Sequence, residues 1–317
     1  MNNRKVALSM LSLSLLLTVA AGVPRANATT INFTAVQNTG QTFNSLAVDP
    51  ATGYFYEYQS YGPSGYETLS QYKSISALTA NTPSSTISIA QPFYGTYITA
   101  NNGILYGRAG SGTQVAQWSL ATGAQLSVNG GDPSMGSGTF NWGGDSGVNL
   151  MQDSTGMYVL GTSASTPGDW VLEKLNAGGL TAASNTQFNP GNGGTLGYGF
   201  IIDGTLYTGS SFSNNVITQA VNASTGVVST VSDTLALPGS SYYFSDFTYN
   251  PVTDTLYAFN SETNTLYAAQ NASAQFSGTA SSASTSVVPG PGVAGLLLLA
   301  ISAVALAGRK RRAFAAA

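Results

Sequence analysis

Asp49-Pro50-Ala51-Thr52-Gly53-Tyr54-Phe55-Tyr56 decides the fold, because its pattern returns four more times. The other copies read Asn101-Asn102-Gly103-Ile104-Leu105-Tyr106, Asp153-Ser154-Thr155-Gly156-Met157-Tyr158, Asp203-Gly204-Thr205-Leu206-Tyr207 and Asn250-Pro251-Val252-Thr253-Asp254-Thr255-Leu256-Tyr257. Their last residues, Tyr56, Tyr106, Tyr158, Tyr207 and Tyr257, are separated by 50, 52, 49 and 50 residues. A fixed period of that size marks an array of like modules. Asn-Gly, Asp-Gly and Asp-Pro-x-Thr-Gly are turn chemistry, since Asn, Asp and Gly tolerate positive φ.

Working outward, an apolar run precedes every turn: Leu46-Ala47-Val48, Tyr97-Ile98, Leu150-Met151, Phe200-Ile201-Ile202 and Phe247-Thr248-Tyr249. Each repeat therefore opens with a β-hairpin. A third strand follows at Leu69–Tyr72, Val115–Trp118, Val171–Lys174, Val216–Gln219 and Leu266–Ala269. A weaker fourth is read at Thr86–Ile89 and Val227–Thr230. Four antiparallel strands per module, repeated, predict an all-β five-bladed β-propeller over 29–276. One blade cannot bury both faces of its sheet, whereas a ring of blades can, and it also protects the edges. Ile31–Val36 precedes the first full repeat and is expected to close the ring as the outer strand of the last blade, with Ala274–Phe276 as the alternative. A β-sandwich or open solenoid of the same hairpins is the rival architecture. The recurring tyrosines read as core packing on second strands.

Composition limits the chemistry. The chain has 317 residues, of which 7 % are charged, with 37 glycines and neither Cys nor His. Disulfide scaffolds, thiolate or imidazole metal sites and His-dependent triads are thereby excluded. Ten basic residues face thirteen acidic ones, but only Lys73, Arg108 and Lys174 lie between the termini, together with all thirteen carboxylates. The body thus carries a formal −10 and repels nucleic acid.

Both ends read as addresses. Residues 1–28 have the form of a secretory signal peptide: basic Arg4-Lys5, an apolar Val6–Val19, and Ala26-Asn27-Ala28 with small residues at −3 and −1 of a cleavage site. The mature chain then starts at Thr29. At the other end, 277–287 is a Ser/Ala/Thr linker, 293–308 is an apolar stretch read as a transmembrane helix, and Arg309-Lys310-Arg311-Arg312 is a basic stop kept cytoplasmic.

The tail 288–317 resembles the PEP-CTERM sorting signal of Gram-negative bacteria. The resemblance rests on Val288, Pro289, Gly290 and Pro291, on the short span and on Arg309, Lys310, Arg311 and Arg312, with Gly290 where that family usually has Glu, a Pro-Gly variant. It implies an inner-membrane-anchored precursor, processing by an exosortase-like membrane protease after the secretion machinery, and a final place at the cell surface or outside the cell, in the envelope or polysaccharide matrix.

For a ligand, the loops joining strand four to the next strand one, and strand two to strand three, share one face. They carry Asp132, Phe140, Trp142 and Asp145, then Tyr61, Tyr66, Asp169 with Trp170, and Phe212. Aromatic rings beside carboxylates stack on sugars and hydrogen-bond their hydroxyls, so Trp142, Asp132, Asp145, Trp170, Asp169 and Tyr66 are the ligand-binding candidates. Asp132 and Asp145 could alternatively share a Ca²⁺, an oxygen-seeking ion. No other cofactor is expected. Asp246 is the best candidate for a carboxylate on the ring axis, but glycoside hydrolysis needs a pair, and no catalytic residue is assigned. The expectation is an exported, non-catalytic protein that contacts extracellular carbohydrate. A propeller hydrolase or lyase and a calcium-dependent adhesin are the alternatives.

Overall fold

The computed structural model describes residues 28–38, 45–58, 66–110, 113–129, 134–140, 147–191, 194–238 and 243–281. The five predicted hairpins form, and each seeds a blade. The first blade is β3 (Ser45–Asp49), β4 (Tyr54–Tyr58), β5 (Tyr66–Tyr72) and the first half of β6 (Ser85–Asn101); the second is the rest of β6, β7 (Ile104–Arg108), β8 (Val115–Ser119) and β9 (Gln125–Val128). The third is β10 (Val148–Asp153), β11 (Gly156–Thr162), β12 (Trp170–Leu175) and β13 (Ala182–Phe188). The fourth is β14 (Tyr198–Ile202), β15 (Thr205–Gly209), β16 (Val216–Asn222) and β17 (Val228–Ala236); the fifth has β18 (Phe244–Asn250), β19 (Thr255–Asn260) and β20 (Thr265–Gln270). The innermost strands β3, β10 and β14 are buried at every position, as strands flanked on both faces must be.

The N-terminal segment closes the ring. Residues 34–38 form β2 (Thr34–Asn38), antiparallel to β20 with Thr34 opposite Ala268, and complete the fifth blade. Just before it, β1 (Thr30–Asn32) runs parallel to β17, with Thr30 opposite Thr234, and adds a fifth strand to the fourth blade. Two blades are thus stitched by one short segment. The alternative closing residues, 274–276, lie instead in helix α2 (Ala272–Ser281), which continues into the stretch read as linker. The short helix α1 (Ile75–Thr79), N-capped by Ser74, sits within the first blade and was not anticipated.

The core lies between blades. All five repeat tyrosines are buried, as expected of packing residues. Phe200, Tyr207 and Phe276 pack in contact between the fourth blade and α2, with Tyr207 and Phe276 centroids 4.6 Å apart. Tyr198, Phe244 and Phe247 fill the seam toward the fifth blade. Gly209 is required there, because a Cβ would stand 2.2 Å from Tyr198 Cζ.

Among the described residues no helix is long and apolar enough to cross a membrane. The span expected at 293–308 lies outside the described residues, as do the sorting residues Val288 to Pro291 and Arg309 to Arg312, and Ala26 of the leader.

Candidate functional site

The expected ligand loops divide. Asp132, Trp142 and Asp145 lie outside the described residues, as does the side chain of Tyr66. Asp169 and Trp170 are adjacent in sequence but act in different places. Trp170 is no exposed platform: it is buried, its Nε1 donates to Gly194 O at 2.8 Å, and Phe140 packs on it at 4.7 Å. As the first residue of β12 it points into the blade, and the core takes its large ring. Phe140 is buried as well. Asp169 accepts from Gln187 Nε2 at 2.8 Å and Asn189 Nδ2 at 2.6 Å, so it ties its own loop to the end of β13 and the residues after it. Phe212 packs edge-on against exposed Tyr243.

Asp246 lies buried on β18, the strand of the fifth blade that meets the first blade. Its Oδ2 accepts from Ser45 Oγ at 2.9 Å and from Leu46 N at 2.7 Å, joining the last blade to the first. Ser45 Oγ in turn accepts from Ile98 N at 3.2 Å, which brings in the second blade. Burial pushes the Asp246 carboxyl up to about 8, against hydrogen bonds from Leu46, Ser45 and Phe247 that favour the charged form. Ser45 beside a carboxylate invites comparison with a nucleophile and base, but both side chains are sealed from solvent. A substrate has no approach to them, and the arrangement is a seam joining blades. Nearby, Asn149 on β10 donates through Nδ2 to Gly199 O at 2.8 Å, and Gln152 Nε2 to Val48 O at 2.7 Å, tying the third blade to the fourth and the first.

The repeat acids in the hairpin turns are staples. Asp49 is buried and accepts from Ala51 N in its own turn and from Asn102 N and Gly103 N in the next blade's turn, at 3.0, 3.0 and 2.8 Å. Asp153 repeats the device one seam removed: it accepts from Thr155 N and Gly156 N and reaches Gly204 N at 2.6 Å. Asn102 and Asp203 have φ of 52° and 48°, each followed by a glycine with positive φ, so the receiving turns present their N–H groups to the preceding blade. Asp254 caps α2 instead, through Ser273 N and Oγ. Burial would raise its carboxyl, but these bonds and one from Tyr249 outweigh burial and hold it low.

A pocket of about 220 Å³ opens on this turn face between the second and third blades. Asn101, Asn102 and Tyr106 form one side, Gly156, Met157 and Lys174 the other, and the turn 176–178 the rim. Lys174 is the one charged residue in the lining, with Nζ 5.8 Å from the Tyr158 ring centroid. The rim is preset, because Gln117 Nε2 donates to Gly178 O at 3.0 Å while Gln117 Oε1 accepts from Ser127 Oγ. Sequence reasoning missed this pocket. The visible signal was Lys174, one of three cations in an acidic body. Among the described residues no three His, Cys, Asp or Glu side chains form a metal-binding group.

Comparison with known proteins fixes the family. The Olfactomedin-like domain matches residues 31–274, all but a few residues of the propeller. The chain belongs to the olfactomedin-like family. This corrects the resemblance to PEP-CTERM proteins, which rested on 288–317, outside both the match and the described residues. The inner-membrane anchor expected from the same tail falls at 293–308, likewise outside the described residues.

Relatives of this olfactomedin-like chain include myocilin of Bos taurus, 28% identical over 193 residues, covering 60% of this chain and 39% of myocilin. Myocilin of Homo sapiens is 28% identical over 195 residues, covering 60% and 38%. Myocilin of Oryctolagus cuniculus reaches 33% over 126 residues, covering 38% and 25%. The chain spans about two fifths or less of the length of these relatives. Among solved structures, glutaminyl cyclase of Myxococcus xanthus superposes with a TM-score of 0.47 at 10% identity, over 76% of this chain and 97% of that one. That likeness is too distant to carry an inference about activity.

Proposed function

We propose that this olfactomedin-like propeller is an exported, non-catalytic protein of the cell exterior that binds carbohydrate of the surrounding matrix in the pocket between its second and third blades. The observation that carries the proposal is the make-up of that pocket. Asn101 and Asn102 offer amides to hydroxyls, Ile104 and Met157 offer an apolar floor to a sugar face, and Lys174 supplies a positive charge. At about 220 Å³ it suits one ring rather than a drug-sized ligand, which takes ~300 Å³ or more. The lysine selects acidic sugars from neutral ones, within a body whose own carboxylates repel anions elsewhere. The leader 1–28 accounts for export through the secretion machinery. Hydrolase chemistry is not favoured, since Asp246 is a single carboxylate sealed at the seam.

A glycan array probed with the mature protein tests the reading. Binding to uronate-containing glycans is expected, reduced at least tenfold by Lys174→Gln and unchanged by Trp142→Ala. Loss with Trp142→Ala and not with Lys174→Gln would overturn the pocket as the binding site. Turnover of any glycan would overturn the non-catalytic reading.

A further inference from the structure

Asp233 is a carboxylate placed where the fold offers it little. It lies on β17, opposite Ile217 of β16, and is fully buried. Its Oδ2 has no hydrogen-bond partner. The described elements packed against β17, namely β1, β16 and α2, contain no ionisable side chain. Burial pushes its carboxyl up, and the groups that oppose burial both belong to Thr29. A buried carboxylate without a cation is costly.

Thr29 is held at both ends of its backbone. Its carbonyl accepts from Thr234 N at 2.9 Å, and its nitrogen donates to Asp233 Oδ1 at 2.8 Å. The parallel register of β1 on β17 fixes this position. Ala28, the residue before it, is exposed. The leader reading places the peptidase cut at the Ala28–Thr29 bond. Hydrolysis there breaks the C–N bond and consumes one water, leaving Ala28 as a carboxylate and Thr29 nitrogen as an ammonium. The amide that now faces Asp233 becomes a cation at the same distance.

We propose that Asp233 is a socket for the α-ammonium of Thr29, so that removal of the leader forms a partly buried ion pair that locks the ring-closing segment onto the fourth blade. The inference rests on the cut at Ala28–Thr29. It makes the exported protein more firmly closed than its precursor, and it makes Thr29 the required first residue.

Three measurements test it. N-terminal sequencing of the exported protein should begin at Thr29; any other start overturns the proposal. Thermal unfolding is then compared for the chain beginning at Thr29 and for one retaining Asn27-Ala28, each with and without Asp233→Asn. The substitution should lower Tm by on the order of 5 °C or more in the Thr29 form, and by clearly less in the extended form. Equal shifts would overturn the socket while leaving the cut standing. Finally, the Thr29 amine in the unsubstituted protein should titrate above the ~8 of a free α-amine. Its raised value means that the added stability is full below about pH 8 and is lost as pH rises through the folded value. An amine titrating at the free value would refute the pair without any variant.

Discussion

Asp246→Asn should remove a pH dependence that the native protein carries at its ring seam. The Asp246 carboxyl has an ordinary value of 3.8, and burial raises it to about 8 in the fold. A group whose folded value is raised contributes its full stability below the unfolded value, and that contribution is lost as pH rises through the folded value. The window therefore runs from about 4 to about 8. At about 1.4 kcal/mol for each unit, moving from pH 4 to pH 7 costs the native protein up to ~4 kcal/mol, an upper bound because the seam can relax. Asn has nearly the same shape, keeps an oxygen for Leu46 N and Ser45 Oγ, and does not ionise. Urea unfolding of both proteins at half-unit pH steps measures the effect, and the difference between them cancels carboxylates common to both. The native protein should match or exceed the variant near pH 4 and fall behind it steadily toward pH 8. A native protein that gains on the variant as pH rises would refute the reasoning, since it would mean that the seam holds the charged form.

Other perturbations separate the remaining seams. Asp49→Ala strips acceptors from two turns in neighbouring blades and should cost about 1.5–3 kcal/mol in urea unfolding, with Asp49→Asn recovering part. Asp153→Ala should cost a similar amount, and the two losses should add in the double variant because the staples share no partner. Gly209→Ala drives a methyl into Tyr198 and should destabilise by about 1–3 kcal/mol, read as a lowered Tm. Trp170→Phe loses the bond to Gly194 O and should cost about 1 kcal/mol without altering glycan binding.

The fold was legible because a propeller writes itself five times. The turn residues needing positive φ, the alternating apolar strands and the repeat tyrosines each recur, so errors at one copy are corrected by the others. Closure of the last blade by the segment before the first repeat was legible because an unpaired strand needs a partner, although Thr34–Asn38 does it and Ile31 joins the fourth blade. The parallel pairing of β1 was not, since three residues carry no directional signal. The sites were harder to read. Trp170 looked like a loop aromatic because sequence gives no sign of whether the start of a strand faces core or solvent. The pocket at Lys174 joins Asn101 to turn 176–178, residues distant in sequence that only the stacking of blades brings together. Asp49 and Asp153 were placed in turns, but their reach to the next blade depends on inter-blade spacing, which the repeat length alone does not encode.

Closure of the ring by the N-terminal segment can be measured directly, because the chain has no cysteine to interfere. Thr34→Cys with Ala268→Cys places two thiols directly opposite on β2 and β20, where cross-strand Cα separations of about 4.5–5.5 Å admit a disulfide. Oxidation should give a monomer with an internal bond linking residues 34 and 268, seen as one cross-linked peptide by mass spectrometry. Free thiols after oxidation, or bonds formed only between molecules, would contradict a ring closed by its own first strand.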